Sequence, residues 1–160
     1  MPASQAKAIQ DLIPAHHCYG CGTLNPKGLH LKSYLEGDEA VCRFQPWPEH
    51  AAGPTTVVYG GILAAVIDCH TLCTVIADLY RAAGRPLGSG PPIWAVTASL
   101  KVDYLAPTPI DRPIELRARV REAKGRKRVV ECTVTSGGKA CARAEVIGVE
   151  VPAAWGNGPP

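Results

Sequence analysis

The feature that most constrains this chain is a long, almost wholly apolar segment, opened by a glycine pair and interrupted by one carboxylate. Residues 59–77 read YGGILAAVIDCHTLCTVIA, with Asp68 in the middle. Such a run predicts an α-helix over about residues 59–82 that is buried on nearly every side, because an ordinary surface helix carries a polar stripe. A buried aspartate is costly unless it is paired, hydrogen-bonded or protonated. The pattern therefore indicates a core helix that keeps Asp68 for a purpose.

The glycine pair at the start of this helix adds a second chemical element. The backbone N–H groups of Gly60 and Gly61 would lie at the helix N-terminus, where unpaired N–H groups and the helix dipole favour negative charge. An oxyanion that develops during a reaction can be stabilised there. Gly60, Gly61 and Asp68 together predict an oxyanion hole and a carboxylate. A purely structural Asp68, satisfied by the backbone or by a neighbouring hydroxyl, is the alternative.

Composition limits the class of protein. With 160 residues, 46% of them hydrophobic, the chain can form one compact domain with a sizeable core. A net charge of +3 is too small to indicate a nucleic-acid partner. Asp68, His70 and Asp78 interrupt the apolar run, so we expect a core helix and no membrane partner. Seven cysteines without a framework pattern, and an N-terminus unlike a signal peptide, predict a cytoplasmic protein.

Around the helix, the residue pattern has the period of two that is typical of strands. Residues 4–13 predict a short helix capped by Ser4, and residues 29–45 predict a hairpin that turns at Gly37 and Asp38. Four further alternating segments follow the long helix, at residues 94–104, 114–121, 130–135 and 139–151. Short connections make such strands antiparallel. We therefore predict an α+β fold in which a curved antiparallel sheet wraps around one buried helix.

Three segments of the sequence resemble a known family. They are CYGCGTLNPKGLHL at residues 18–31, VVYGGILAAVIDCH at 57–70 and SLKVDYLAPTPIDRPIELRARV at 99–120. These segments and the order of the predicted elements resemble those of hotdog-fold proteins, in particular the acyl-CoA thioesterases related to 4-hydroxybenzoyl-CoA and phenylacetyl-CoA thioesterases. The resemblance covers nearly the whole chain. It implies one domain over residues 1–160, with an N-terminal helix and loop at 1–27, the hotdog core at 28–151 and a tail at 152–160.

The resemblance also implies roles for the residues of the helix. In this family the N–H of the first glycine, here Gly60, polarises the thioester carbonyl, and an acid eight positions later, here Asp68, attacks it or activates water. Eight residues of helix span about 12 Å, so one protomer cannot easily bring both groups to one carbonyl. The family's solution is a dimer whose subunits share each site, which implies a homodimer or a dimer of dimers. Many members carry histidine where this chain has Tyr59.

The remaining predicted site residues surround the substrate. We expect an apolar wall of Leu63, Ile67 and Trp94 to hold the acyl group, with Tyr59 beside the glycine pair. His50, in the loop before the helix, either orients water or the acyl group or has only a loop role. Arg126 and Arg128 belong to a basic run that either meets the CoA phosphates or forms a solvated strand face and turn. The run consists of Arg117, Arg119, Arg121, Lys124, Arg126, Lys127 and Arg128.

Two cysteines near the N-terminus present a separate question. Cys18 and Cys21 have CxxC spacing and follow His16 and His17, which suggests a zinc site or a redox pair. A structural zinc site needs a second set of ligands, and the sequence has no second CxxC and no spaced histidine pair. We therefore predict no metal and no cofactor, and assign the glycines of this segment to a tight turn.

The sequence as a whole predicts an acyl-CoA thioesterase that cuts a thioester to a free acid and CoA. A non-catalytic acyl-CoA binding module is an alternative, which would not depend on Asp68. A hotdog dehydratase or hydratase is a second alternative, which would pair its acid with a histidine. His70 lies about 200° around the helix from Asp68, so we expect it to be a hydrogen-bonded packing residue.

Overall fold

The computed structural model describes residues 6–157. These residues form one α-helix, six β-strands and three short 3-10 helices. The helix is α1 (Gly60–Ala82), and the strands are β1 (Ser33–Glu36), β2 (Glu39–Phe44), β3 (Trp94–Tyr104), β4 (Ile114–Lys124), β5 (Lys127–Ser136) and β6 (Lys139–Val151). The 3-10 helices are Ile9–Asp11, Pro48–His50 and Ala153–Asn157. The long helix and all the predicted strands are therefore present.

The strands form a single antiparallel sheet in the order β1-β2-β4-β5-β6-β3. The predicted hairpin joins β1 to β2 through Gly37, whose φ of 65° is the left-handed conformation that suits glycine. β4, β5 and β6 follow one another as neighbours, whereas β3 pairs with β6 at the far end of the sheet. Among the described residues, β1 and β3 are thus the two edge strands.

The sheet wraps around α1, which contacts all six strands. Apolar residues on both elements form one continuous core, with Leu63, Val66 and Ile67 of α1 buried against the strands. By length and composition α1 could cross a membrane, but 67% of its most apolar stretch is buried within the fold. The predicted core helix is confirmed, and the architecture is the one expected for a hotdog fold.

β3 does not keep a single row of side chains toward the helix along its whole length. The sequence places Trp94, Val96, Ala98, Leu100, Val102 and Tyr104 in one alternating row, but the buried residue at the start of the strand is Ala95, from the opposite row. A β-bulge between Thr97 and Ser99 shifts the register. Because one extra residue reverses which side chains face inward, Ala95 and Thr97 face the helix before the bulge. Val102 and Tyr104 face it afterwards.

A buried polar network ties the N-terminal segment to the core. The predicted helix at residues 4–13 is only the 3-10 turn Ile9–Asp11, and the predicted cap Ser4 lies outside the described residues. The Gln10 amide donates to the Ser33 hydroxyl at 3.1 Å, and Ser33 Oγ lies 2.8 Å from His70 Nδ1. His70 Nε2 lies 3.1 Å from the carbonyl oxygen of Ala40, which can only accept. His70 is therefore the packing residue that was predicted.

Candidate active site

Asp68 lines a cleft between α1, the start of β3 and the N-terminal loop. The cleft has a volume of about 420 Å³, and its walls are mostly apolar. The Asp68 side chain is half-buried, and its Oδ1 accepts a hydrogen bond of 2.6 Å from the Thr97 hydroxyl of β3. Asp68 therefore combines access to the cleft with a fixed orientation. The lining residues are Ile13, His16, Cys18, Cys21, Asp68, Cys69, Leu72, Cys73, Ile76, Trp94, Ala95, Trp155 and Gly156.

Thr97 is a site residue that sequence reasoning missed. Its hydroxyl holds the Asp68 carboxylate, as the structural alternative for Asp68 expects. No residue within 6–157 forms a hydrogen bond with the other carboxylate oxygen, which leaves that oxygen available for chemistry. Only the bulge after Thr97 directs this side chain toward the helix. The sequence shows an ordinary alternating strand here, so nothing in it marks Thr97.

The helix N-terminus opens onto a different cleft. Within residues 6–157, no hydrogen bond engages the N–H groups of Gly60 and Gly61, as is usual for the first residues of a helix. Gly60 lines a cleft of about 390 Å³ with Leu63, and the Tyr104 hydroxyl donates to the Gly60 carbonyl at 2.7 Å. Free N–H donors at the end of a 23-residue helix can stabilise negative charge there.

Tyr59 explains why the second residue of the pair is glycine. The Tyr59 side chain is mostly exposed and folds back over the helix start. A Cβ atom at Gly61 would lie 2.4 Å from the Tyr59 ring.

In the cleft beside Gly60, the buried Thr108 Oγ1 has no hydrogen-bond partner in the described part of the chain. Thr108 is a second polar group that the sequence did not single out.

The predicted acyl wall is divided between these two clefts. Leu63 lines the cleft beside Gly60, and Trp94 lines the cleft beside Asp68, whereas Ile67 is fully buried in the core between sheet and helix. Gly60 and Asp68 therefore face separate openings within one chain. Ile67 supports the helix from behind and does not line either opening.

His50 packs between aromatic side chains. Its ring stacks on Trp47 and Phe44 at centroid distances of 4.7 and 5.7 Å, and its Nδ1 accepts from the Trp47 N–H at 3.1 Å. Burial lowers the pKa of His50 below its ordinary value. Its backbone carbonyl accepts the N–H of Tyr59 at 2.8 Å. This geometry favours the loop role of His50, which holds the chain just before the helix, over a direct role in orienting substrate.

The basic run separates into paired and unpaired members. Arg128 is only 5% exposed, and its guanidinium binds Asp78 of α1 and the carbonyl of Gly125. This placement argues against the predicted phosphate contact of Arg128, because its donors are used inside the fold. Arg117, Arg119 and Arg121 pair with glutamates on the sheet surface. Among the described residues, Lys124, Arg126 and Lys127 have no acidic partner and form an exposed basic turn between β4 and β5.

Four cysteines line the cleft that also contains Asp68, an arrangement that the sequence did not predict. The Sγ atoms of Cys18, Cys21 and Cys69 lie within 4.8 Å of one another. Cys73, one helical turn after Cys69, lines the same cleft. Hydrogen bonds from Cys18, Cys69 and Cys73 lower the pKa of the Cys21 thiol. The contact with Cys18 raises the pKa of Cys69, and the contact with Cys21 raises that of Cys73.

Comparisons with known proteins agree on one family. The family model of the thioesterase superfamily matches residues 55–142. A thioesterase superfamily protein from Shewanella loihica, solved by crystallography, is 38% identical, with a TM-score of 0.62 over 76% of this chain and 91% of that one. The PaaI protein of the E. coli phenylacetic acid degradation operon is 16% identical, with a TM-score of 0.63 over 78% of this chain and 81% of that one. The hotdog fold is thus confirmed.

One curated relative carries an activity in its name. Acyl-coenzyme A thioesterase THEM4 of Xenopus laevis is 31% identical over 96 residues, which are 60% of this chain. The match spans 37% of the length of that relative.

Proposed function

Because the chain belongs to the thioesterase superfamily, we propose that it is an acyl-CoA thioesterase, which hydrolyses an acyl-CoA thioester to a free acid and CoA. The observation that carries this proposal is the placement of Asp68, a half-buried carboxylate that is held by Thr97 and lines an apolar cleft. The activity in the name of the Xenopus laevis relative supports the same reaction.

In the proposed reaction, the helix start binds the carbonyl and Asp68 supplies the base or the nucleophile. The Gly60 N–H donates to the thioester oxygen, which becomes negative as the carbonyl is attacked. As a base, Asp68 takes a proton from water while the water oxygen bonds to the carbonyl carbon. The carbon–sulfur bond then breaks, and the CoA sulfur takes the proton from Asp68. As a nucleophile, Asp68 would bond to the carbonyl carbon and expel the CoA thiolate, and water would then hydrolyse the resulting mixed anhydride to the free acid and the Asp68 carboxylate.

We propose that two subunits share each site. Gly60 and Asp68 line separate clefts of one chain and stand about 12 Å apart along the helix. The carbonyl would therefore lie between Gly60 of one subunit and Asp68 of the partner subunit. β3 is an edge strand whose side chains Leu100 and Tyr104 are largely exposed, and unpaired edges with apolar side chains favour association. These features support a homodimer or a dimer of dimers.

The CoA moiety is proposed to reach the basic turn between β4 and β5. Lys124, Arg126 and Lys127 are exposed there and leave their charges free for phosphate oxygens. The acyl group would occupy the apolar cleft beside Trp94. A reducing, cytoplasmic setting belongs to the same proposal and is supported by the seven free thiols.

A panel of acyl-CoA substrates with detection of the released thiol tests the activity. We expect Asp68→Asn to fold and to lower kcat/KM by at least about two orders of magnitude, or about 2.7 kcal/mol. Asp38→Asn, at an exposed aspartate in the β1–β2 turn, is the matched control and should be unaffected. A folded Asp68→Asn protein with the wild-type rate would reject the mechanism. Tight acyl-CoA binding without turnover by the wild type would identify a binding module instead.

A further inference from the structure

The cysteine cluster beside Asp68 joins two segments that are distant in the sequence. Cys18 and Cys21 lie in the loop before β1, and Cys69 and Cys73 lie one turn apart on α1. Cys18 Sγ is 3.5 Å from Cys69 Sγ, and the three sulfurs of Cys18, Cys21 and Cys69 are within 4.8 Å of one another. The sequence has no second CxxC motif. The helix supplies a second pair of cysteines instead, because residues at i and i+4 share one helix face.

Cys73 is held at the inner end of this cluster. Its side chain is buried, and the Gln10 amide lies 3.3 Å from its Sγ. It follows Cys69 by one helical turn and lines the same cleft as Cys21. Cys73 is therefore positioned to act with the three converging sulfurs.

The loop is shaped to bring its thiols onto the helix. A Cβ atom at Gly20 would lie 2.1 Å from Cys69 Sγ, and one at Gly22 would lie 2.4 Å from the backbone nitrogen of Cys18. The Gly22 N–H donates to the Cys18 carbonyl at 2.8 Å, which closes a turn around the CxxC segment. These glycines are needed because any side chain would push the loop away from the cysteines of α1.

We propose that Cys18, Cys21, Cys69 and Cys73 bind one zinc ion through their four sulfurs. Tetrahedral zinc with bonds of about 2.3 Å places its sulfur ligands about 3.8 Å apart, near the 3.5 Å between Cys18 and Cys69 and inside the 4.8 Å spread of the three converging sulfurs. Each thiol would release its proton to solvent as the metal binds. A site with four protein ligands has no open position, so the ion is structural: it ties the N-terminal loop to α1 next to Asp68.

The number of converging sulfurs favours a metal over a disulfide. A disulfide joins two sulfurs at about 2.05 Å and would leave the other thiols of the cluster unused. Zinc uses all four and is not redox-active, so it suits a reducing compartment. This proposal replaces our expectation of no metal, which depended on the missing second CxxC.

Metal analysis of the purified, reduced protein tests the site without any activity assay. We expect wild type to bind about one zinc ion per chain and to give a tetrahedral thiolate spectrum with Co²⁺. Cys18→Ser, Cys21→Ser, Cys69→Ser and Cys73→Ser should each weaken zinc binding about a hundredfold or more, beyond the effect of a supporting residue. Cys132→Ser is the matched control, since Cys132 is a buried cysteine of β5 outside the cluster.

Alkylation mapped by mass spectrometry keeps the test decisive if a serine variant does not fold. In wild type, zinc should slow alkylation of Cys18, the exposed member of the cluster, and a chelator should restore it. The proposal fails if reduced wild type binds neither zinc nor Co²⁺, if the Co²⁺ spectrum lacks thiolate charge transfer, or if zinc leaves Cys18 alkylation unchanged. A disulfide within the cluster, with no metal uptake after reduction, would identify a redox pair.

Discussion

The Thr97 hydroxyl of β3 donates a 2.6 Å hydrogen bond to Oδ1 of Asp68 on α1. The contact crosses the interface between helix and sheet, and it exists because the bulge after Thr97 sets which side chains of β3 face the helix. The sheet thus orients the carboxylate that the helix carries. Thr97 is a positioning residue for Asp68.

Removing this hydroxyl should slow the reaction without abolishing it. A hydrogen bond to a charged group contributes about 1.5–3 kcal/mol, so we expect Thr97→Val to lower kcat by about ten- to a hundredfold. Thr97→Ser keeps the hydroxyl and should restore most of the rate, which a purely steric role of Thr97 would not predict. Steady-state kinetics of both variants provide the measurement. Equal rates for Thr97→Val and wild type would show that Asp68 needs no orientation by β3.

Subunit mixing should reveal whether the site is shared. Gly60→Pro removes the N–H donor and Asp68→Asn removes the acid, so each homodimer should be inactive. After refolding the two together, half of the dimers are mixed and carry one intact site of two, which returns up to about a quarter of wild-type activity.

The control for this experiment is Gly60→Ala, which keeps the N–H. A Cβ atom there would only reach the Tyr104 ring at 3.4 Å, so Gly60→Ala should fold and retain activity. Gly60→Pro must also be shown to fold. No recovered activity from well-folded proteins with demonstrated subunit exchange would mean that each chain supplies both groups to its own site.

The basic turn should act on CoA binding and leave the chemistry unchanged. We expect Arg126→Ala to raise KM for acyl-CoA several-fold with little change in kcat, because the phosphate is held alike in ground and transition states. A short acyl-pantetheine thioester lacks these phosphates and should show no effect. Equal changes for both substrates would exclude phosphate recognition by Arg126.

Arg128 should instead control stability. Its side chain and that of Asp78 are 6% and 11% exposed, so removing one partner leaves a buried charge. Exposed Arg81 also pairs with Asp78, so Asp78 keeps one cationic partner when Arg128 is removed. We therefore expect Arg128→Ala to lower the unfolding free energy by about 3 kcal/mol. Adding Asp78→Asn should recover part of that loss. Urea denaturation measures both variants, with exposed Arg126→Ala as the control; an unchanged midpoint for Arg128→Ala would contradict the assignment.

The buried His70 should make the protein less stable in acid. Burial lowers its pKa from 6.5 to about 4, so the folded protein keeps His70 neutral where the unfolded chain binds a proton. The unfolding free energy should therefore fall as pH drops from 6.5 to 4, by up to about 3 kcal/mol from this residue. His70→Gln should show a shallower pH dependence in denaturant titrations. An unchanged slope would show that His70 does not control acid stability.

The sequence by itself determined the framework of this protein. The apolar run with its glycine pair predicted α1 and the positions of Gly60 and Asp68, because helical periodicity and a lone carboxylate are local features of the chain. Alternation with a period of two predicted the strands for the same reason. The hydrogen-bonded role of His70 followed from its angle around the helix relative to Asp68.

Tertiary structure decided the contacts between distant segments. Three features join residues far apart in the sequence: the bulge that turns Thr97 toward Asp68, the ion pair that buries Arg128 against Asp78, and the cleft that Cys18 and Cys21 share with Cys69 and Cys73. A residue's neighbours along the chain set its local conformation, but its partner across the fold depends on register and packing. For that reason the basic run looked uniform in the sequence, and the second cysteine pair became visible only when α1 packed against the N-terminal loop.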